Sequence, residues 1–400
     1  MMIIPAVDTN RDRKETRLFS PYTLRGVTFP NRAVLAPMQM YKAAQDGIAT
    51  DWHFQHLARF AVGGFGTVMT EALMVDPRGR NTYGDLGLWT DDQIPGLRRI
   101  ATFMKSMGVL PAAQLHHAGP KSSRQRPWEG LGPLGETEAC RGEPPWQPVS
   151  ATGSSTVQGW NVPHKLSVEE IGEIVEAYGR AAARAAEAGF EVLDIHSAHG
   201  YLLHSFLSPV NNDRDDAYGG DIHGRMRFPL EVAAAVRKNW PASKPLFFRI
   251  SCVDWRPDIE PGLDGWTLED SYVYAGALRK LGVDLIDCSS GGIRAENSGM
   301  NFVHKRQSIR KGHQVKYADA IRHRVGMPTM AVGAILDGAQ AEAILAEDRA
   351  DLVAVGRQAL VDPHWALHAS QELDADPKWQ MWPPSYGWWL CNRAKIGVVE

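Results

Sequence analysis

The chain has little of what marks several large classes of protein. Its four cysteines, Cys140, Cys252, Cys288 and Cys391, stand far apart and form no C-x-x-C pair. That spacing argues against a disulfide framework, an iron–sulfur centre or a zinc ribbon, and favours a reducing, cytoplasmic setting. It has no run of about 18 apolar residues, the length a membrane-spanning helix needs. Residues 1–7 are apolar but are followed by Arg11, Arg13, Lys14, Glu15 and Arg17, without the apolar core and cleavage site of a signal peptide. Positive charge is not in excess either. With 43 Lys and Arg against 46 Asp and Glu, the net charge of −3 offers no field for a nucleic-acid backbone.

The composition is that of a globular protein, 44% hydrophobic and 22% charged over 400 residues, enough for one large α/β domain or two smaller ones. Short apolar runs recur at residues 33–37, 65–71, 109–115, 190–196, 245–250, 284–289, 328–333 and 351–356. Runs that are apolar throughout suit parallel strands covered on both faces, and eight of them predict a (β/α)8 TIM barrel. Between them, residues 168–188 form an alanine-rich helical pattern closed by Gly189. Similar glycine endings stand at Gly282 and Gly326.

Two stretches break this rhythm. Residues 119–163 are rich in Gly, Pro, Ser and Trp and too long for an ordinary βα loop, so they are expected to form an excursion over the barrel mouth, with room for a hairpin. Residues 379–400 form an aromatic-rich tail, expected to pack on its own barrel or on a neighbouring subunit. The expected organisation is an extension over 1–17, a barrel over 18–378 and the tail.

Strand ends are where chemistry collects in this fold. Gly333-Ala334 and Gly356-Arg357 follow the seventh and eighth strands, where backbone N–H groups can approach a phosphate because no Cβ intervenes. Gln114 and Arg249 stand on the third and fifth strands. An arginine in so apolar a run needs an anionic partner, either an interior carboxylate or an anionic cofactor edge. His196 and His199, after the fourth strand, admit three readings: metal ligands, core histidines, or paired donors to a substrate oxygen with Tyr201 as a nearby proton donor. Residues 130–135 fit G-x-G-x-x-G but follow no apolar run, contain Pro133 and are expected to open no helix. They predict no dinucleotide-binding domain.

Longer segments carry a family likeness. Residues 18–32 (LFSPYTLRGVTFPNR), Gln114-Leu-His-His-Ala-Gly119, Arg126-Pro-Trp-Glu-Gly130, residues 196–208 (HSAHGYLLHSFLS) and residues 212–220 (NDRDDAYGG) resemble the old yellow enzyme family of flavin-dependent ene reductases, in particular its xenobiotic reductase branch. The resemblance implies an FMN-binding barrel that takes hydride from NAD(P)H and passes it to an activated alkene: an enone, enal, maleimide, quinone or nitro compound. It places Pro37, Met38, Gln39, Ala72, Gln114 and Arg249 around the flavin ring, and Gly333, Ala334, Gly356 and Arg357 at its phosphate. It makes His196 and His199 the substrate-oxygen donors and Tyr201 the proton donor. Tyr41 would border the pocket, and Tyr386 and Trp389 would complete a pocket, that of this chain or of a second subunit in a dimer or tetramer. Three positions depart from the pattern. Gln39 replaces the usual cysteine, Pro120 stands where a basic residue is expected, and Gly224 where an asparagine is. Two other readings remain at this point: a metal-dependent barrel hydrolase or lyase using His196 and His199, and a flavin barrel reducing an aromatic thioester in a degradation pathway.

Overall fold

Each of the eight apolar runs becomes a strand of one closed, parallel barrel in the computed structural model, which describes residues 13–155, 160–254, 265–291 and 310–396. An antiparallel hairpin, β1 (Tyr22–Leu24) and β2 (Val27–Phe29), precedes β3 (Ala33–Leu35), β4 (Thr67–Met74) and β5 (Leu110–His116). Then come β6 (Val149–Ser150), β7 (His164–Lys165), β8 (Val192–Ser197), β9 (Leu246–Ser251), β10 (Leu285–Ser289), β11 (Thr329–Ala331) and β12 (Leu352–Val355). The barrel runs β3-β4-β5-β8-β9-β10-β11-β12, and β12 pairs back onto β3.

The helices that cover the barrel are α1 (Asp51–Val62), α2 (Ile94–Ser106), α4 (Val168–Glu187), α6 (Ile222–Asn239), α7 (Leu268–Lys280), α8 (Val315–Val325) and α9 (Gly338–Ala346). Shorter insertions are α3 (Glu136–Ala139), α5 (Leu202–Leu207) and α10 (Arg357–Val361), and α11 (Trp365–Glu372) and α12 (Pro384–Ile396) close the described chain. Local chemistry sets their starts. Ser167 caps α4 by accepting from Glu170 N, and Asp221 caps α6 by accepting from His223 N and Gly224 N. The departure at Gly224 has a steric cause, because a Cβ there would stand 2.0 Å from the carbonyl oxygen of Gly219. Among the described residues no helix is long and apolar enough to cross a membrane.

Two packed layers result. One lies between strands and helices, where Ile171, Ile174, Tyr178, Ala181, Ala182 and Ala185 of α4 are buried at helical spacing. The other fills the barrel floor with Val34, Met69, Ala112, Val192, Phe247, Leu285, Met330 and Leu352. The hairpin plugs this end, Phe29 stacking on Phe247 with ring centroids 6.1 Å apart.

The excursion differs from its expected form. Its strand β6 pairs in parallel with β7 just beyond it rather than forming a hairpin, and among its described residues the antiparallel element is a single bridge between Arg124 and Pro133. Residues 130–135 follow a 3-10 turn, not a strand. They do precede one turn of helix, contrary to expectation, but Glu138 Oε2 already accepts from Gly135 N at its start. Residues 156–159 of the excursion, 1–12 of the extension and 397–400 of the tail lie outside the described residues.

Candidate functional site

Strand register grades the barrel interior from apolar floor to polar mouth. Side chains two apart share a face, so the floor residues Ala112, Val192, Phe247 and Leu285 are followed inward-facing by Gln114, Asp194, Arg249 and Asp287. Above that layer stand His116, His196, Ser251 and Ser289. A cavity of about 640 Å³ opens there, at the C-terminal ends of the strands. Pro37, Met38, Gln39, Ala72, Gln114, His196, His199, Tyr201, Arg249, Gly333, Ala334, Gly356 and Arg357 all line it.

The histidine pair is built from three elements. His196 is the penultimate residue of β8, and His199 lies in the following loop at φ 59°, its N–H held by Ser251 Oγ at 2.9 Å. Gly200 N donates to His204 Nδ1 at 2.8 Å, while His204 Nε2 sits 2.9 Å from buried Asp254, which pins the loop from behind. Nε2 of His196 and Nδ1 of His199 face each other across 3.1 Å. The partners on the far side of each ring assign the protons. Ala198 N donates to His196 Nδ1 at 3.3 Å, which leaves the proton on Nε2. Ser289 Oγ accepts from Gln314 Nε2 at 3.3 Å and has a second lone pair to accept from His199 Nε2 at 2.7 Å, which leaves His199 Nδ1 as an acceptor. The 3.1 Å contact is therefore a hydrogen bond from His196 Nε2–H to His199 Nδ1. Burial holds both imidazoles well below their ordinary 6.5, so both are neutral at pH 7.

Tyr201 stands at the start of α5, its ring edge-on to His116 at 4.4 Å and to His196 at 5.0 Å between centroids. Lys121, fully inside the wall, donates to the His199 carbonyl at 2.6 Å and lies 5.3 Å from the Tyr201 ring centroid. Burial pushes its ammonium group down to about 7.

On the opposite wall, a bulge in β4 between Met69 and Ala72 turns small Ala72 inward. It also turns Glu71 toward α1, where Glu71 lies 3.6 Å from buried His53 and accepts from Met40 N at 2.8 Å. Gln39 clips this bulge: its Oε1 accepts from Ala72 N at 3.0 Å and its Nε2 approaches the Ala72 carbonyl at 3.5 Å.

Arg249 has an interior carboxylate, with its Nε 3.3 Å from Asp287 Oδ2, and still reaches the cavity. Gln114 donates to Asp194 Oδ2 at 2.7 Å. Burial and the nearby Asp287 charge push the Asp194 carboxyl up to about 7. At the far end the cavity is lined by backbone. Gly333 has φ 116°, and a Cβ there would come within 2.9 Å of Gln314 Oε1 and 3.0 Å of His313 Cε1. Ala334 follows at φ 53°, and Gly356 leads into Arg357 at the start of α10.

Tyr41, Tyr386 and Trp389 are not on this wall. Tyr41 sits behind it, its phenol oxygen 3.4 Å from Arg124 Nη2 and its ring edge-on to Trp128. Tyr386 and Trp389 lie on α12, 49% and 68% exposed, away from the chain's own cavity, so of the two expected pockets only that of a second subunit is left for them. Sequence reasoning missed Asn81, Lys121, Ser289, Ser290, His313 and Gln314. Lys121 alone left a signal, a cation just after the third-strand motif.

A parallel (β/α)8 barrel with a histidine pair, an interior cation and a glycine-lined far end defines a cofactor-binding barrel enzyme. The chain belongs to the NADH:flavin oxidoreductase / NADH oxidase family, whose model matches residues 17–376. It is 40% identical over 360 residues to the NADPH dehydrogenase of Geobacillus sp. (strain WCH70), covering 90% of this chain and 95% of that one. Its identity to the NADPH dehydrogenase of Bacillus subtilis (strain 168) is 38% over 361 residues, covering 90% and 96%. Among solved structures, morphinone reductase superposes with a TM-score of 0.70 at 25% identity, covering 90% and 91% of the two chains. A 2-naphthoyl-CoA reductase complex shares the fold, with a TM-score of 0.76 at 22% identity, over 90% of this chain and 53% of that one. The protein is thus an old yellow enzyme-type oxidoreductase with FMN as bound cofactor and NAD(P)H as reductant, and the metal-dependent hydrolase reading is set aside. The residues present fit the flavin. Gly333, where no side chain fits, offers an anion bare backbone beside Arg357, and Arg249 and Gln114 present a cation and an amide to a planar ring.

Proposed function

We propose that this enzyme is an ene reductase for activated alkenes such as enones, enals, maleimides, quinones or nitro compounds. The observation that carries this is the His196–His199 pair on the cavity wall, whose Nε2 and Nδ1 stand 3.1 Å apart. A carbonyl or nitro oxygen seated beside the pair takes the His196 Nε2–H, and a second N–H once His199 carries its proton on Nδ1 with Nε2 accepting from Ser289 Oγ; both polarise the oxygen as charge develops on it. FMN, reduced by NAD(P)H, supplies hydride to the β-carbon. Arg249 and Gln114 would hold the flavin's polar groups, Pro37, Met38, Gln39 and Ala72 would line its ring, and Gly333, Ala334, Gly356 and Arg357 would take its phosphate. Tyr201 delivers the proton to the α-carbon. Nicotinamide and alkene use the same space in turn, so steady-state kinetics are ping-pong; an intersecting double-reciprocal pattern counts against this.

The decisive experiment reduces the enzyme anaerobically and follows flavin reoxidation with a panel of alkene acceptors. Reoxidation by an enone, together with a long-wavelength charge-transfer band on adding a phenol that is lost in His196→Ala, is the expected result. An enzyme that only dioxygen reoxidises would overturn the reading. We also infer a cytoplasmic setting from the four free cysteines, and a homo-oligomer because Tyr386, Trp388 and Trp389 lie exposed on α12 while Leu336 and Val361 leave an apolar lip on the cavity. A monomer in sedimentation equilibrium would remove that inference.

A further inference from the structure

Lys121 is a buried cation without an anion. It is 5% exposed and lines the cavity, yet among the described residues no carboxylate forms an ion pair with it. Asp254, the buried carboxylate behind this part of the wall, is already committed. One of its oxygens stands 2.9 Å from His204 Nε2, and the other accepts from Ser208 Oγ at 2.6 Å and from Trp266 N at 2.9 Å. The short turn Gly119–Lys121 packs directly on the start of α5, since a Cβ on Gly119 would stand 2.6 Å from Leu202 Cα. That approach sets the ammonium between two residues of the cavity wall, 2.6 Å from the His199 carbonyl and 5.3 Å from the Tyr201 ring centroid.

An ammonium has three N–H donors and no acceptor, and the His199 carbonyl takes one of them. Holding that loop does not call for a charge, because Ser251 Oγ already holds His199 N at 2.9 Å and His204 holds Gly200 N at 2.8 Å. A cation withdrawn from water is costly unless an anion joins it. His116, whose ring lies 4.4 Å from the Tyr201 ring, makes no hydrogen bond through either nitrogen among the described residues. The wall thus holds a cation without an anion and an imidazole without a partner, both bordering the place beside His196 and His199. We propose that the enzyme prefers activated alkenes that also carry a carboxylate, the ketone oxygen lying at the histidine pair and the carboxylate pairing with Lys121, with His116 as a further donor. This rests on the ene reductase reading and adds the charge of the substrate to it. The carboxylate takes no part in the redox step: hydride bonds to the β-carbon, the alkene π pair takes a proton at the α-carbon, and NAD(P)H ends oxidised.

The test compares a keto acid with its methyl ester on the FMN-loaded enzyme, because the two differ in one charge. The buffer is slightly acidic, below the value of about 7 to which burial brings the Lys121 ammonium, so that the cation is present. Without turnover, the saturated 4-oxopentanoate should bind the oxidised wild type about tenfold to a hundredfold more tightly than methyl 4-oxopentanoate, read as a flavin absorbance change, and Lys121→Met should abolish that difference. In turnover, the ratio of kcat/KM for 4-oxo-2-pentenoate to that for its methyl ester should fall by about the same factor in Lys121→Met, through KM. A wild type that binds the acid no more tightly than the ester overturns the inference, whether or not the variant folds. So does a Lys121→Met enzyme that loses acid and ester in equal measure, the mark of a lysine that only holds the His199 loop. Either result leaves the ene reductase reading standing if the ester is reduced. A wild type that reduces neither alkene overturns both.

Discussion

The two ends of the cavity solve opposite problems. Beyond β11 and β12 the wall is backbone: Gly333, Ala334 and Gly356 leave N–H groups uncovered, and Arg357 adds charge at the opening. Beyond β5 and β8 the wall is side chain: His116, His196, His199, Tyr201 and Lys121, with Arg124 behind them, almost all withdrawn from water. An anion that must be held needs only bare backbone. An oxygen that must be activated needs neutral donors whose protons point in chosen directions, and these exist only where second and third residues hold the far side of each ring.

The contrast can be broken first at the backbone end. Gly333→Val adds a branched side chain at φ 116° where a bare Cβ already meets Gln314 and His313 at 2.9 and 3.0 Å. Strain of about 1–3 kcal/mol plus that clash should leave the purified protein nearly colourless, read as flavin absorbance per chain. At the side-chain end, His196→Ala should keep its flavin but slow reoxidation by an enone by about a hundredfold to a thousandfold in stopped flow. Loss of flavin in that variant would erase the division of labour between the ends.

The polar layer beneath both ends should show in stability against pH. The folded protein holds the Asp194 proton more tightly than the unfolded chain does, so folding loses stability as pH rises from the ordinary carboxyl value of 3.8 through about 7. Asp194→Asn has no proton to lose and can still accept from Gln114. Its melting temperature should match the wild type near pH 4 and exceed it above about pH 7, a gain on the order of 1–3 kcal/mol. A gain that is larger in acid would reverse the assignment. The smallest effect belongs to the rim. Gln39→Ala removes the clip on Ala72 N and should cost about 1 kcal/mol, read in denaturant, while Gln39→Cys restores the thiol usual in the branch and should shift the flavin potential in spectroelectrochemical titration.

The barrel was legible from the eight apolar runs because a strand covered on both faces must be apolar along its length, whatever its neighbours are. Gly333 and Gly356 were legible for a similar reason, since left-handed or uncovered backbone is a local demand that glycine meets. His196 and His199 were legible as residues but not in the direction of their protons, which depends on Ser289, Gln314 and the Ala198 backbone, which no spacing connects. Arg124 gave no sign at all, and Tyr41, Tyr386 and Trp389 lie off the chain's own cavity wall, which leaves a second subunit's pocket for the two on α12.

What the sequence by itself determined is the parallel barrel, the family, the cofactor and the list of groups that reach the mouth, because periodicity, bare backbone and long motifs are properties of contiguous residues. Only the tertiary structure decided which way those groups point and which are charged. Proton direction depends on partners far apart in the chain, such as Arg124 with Tyr41 and His199 with Ser289. Charge state depends on burial, and it is burial that keeps the histidines neutral and brings Lys121 down to about 7.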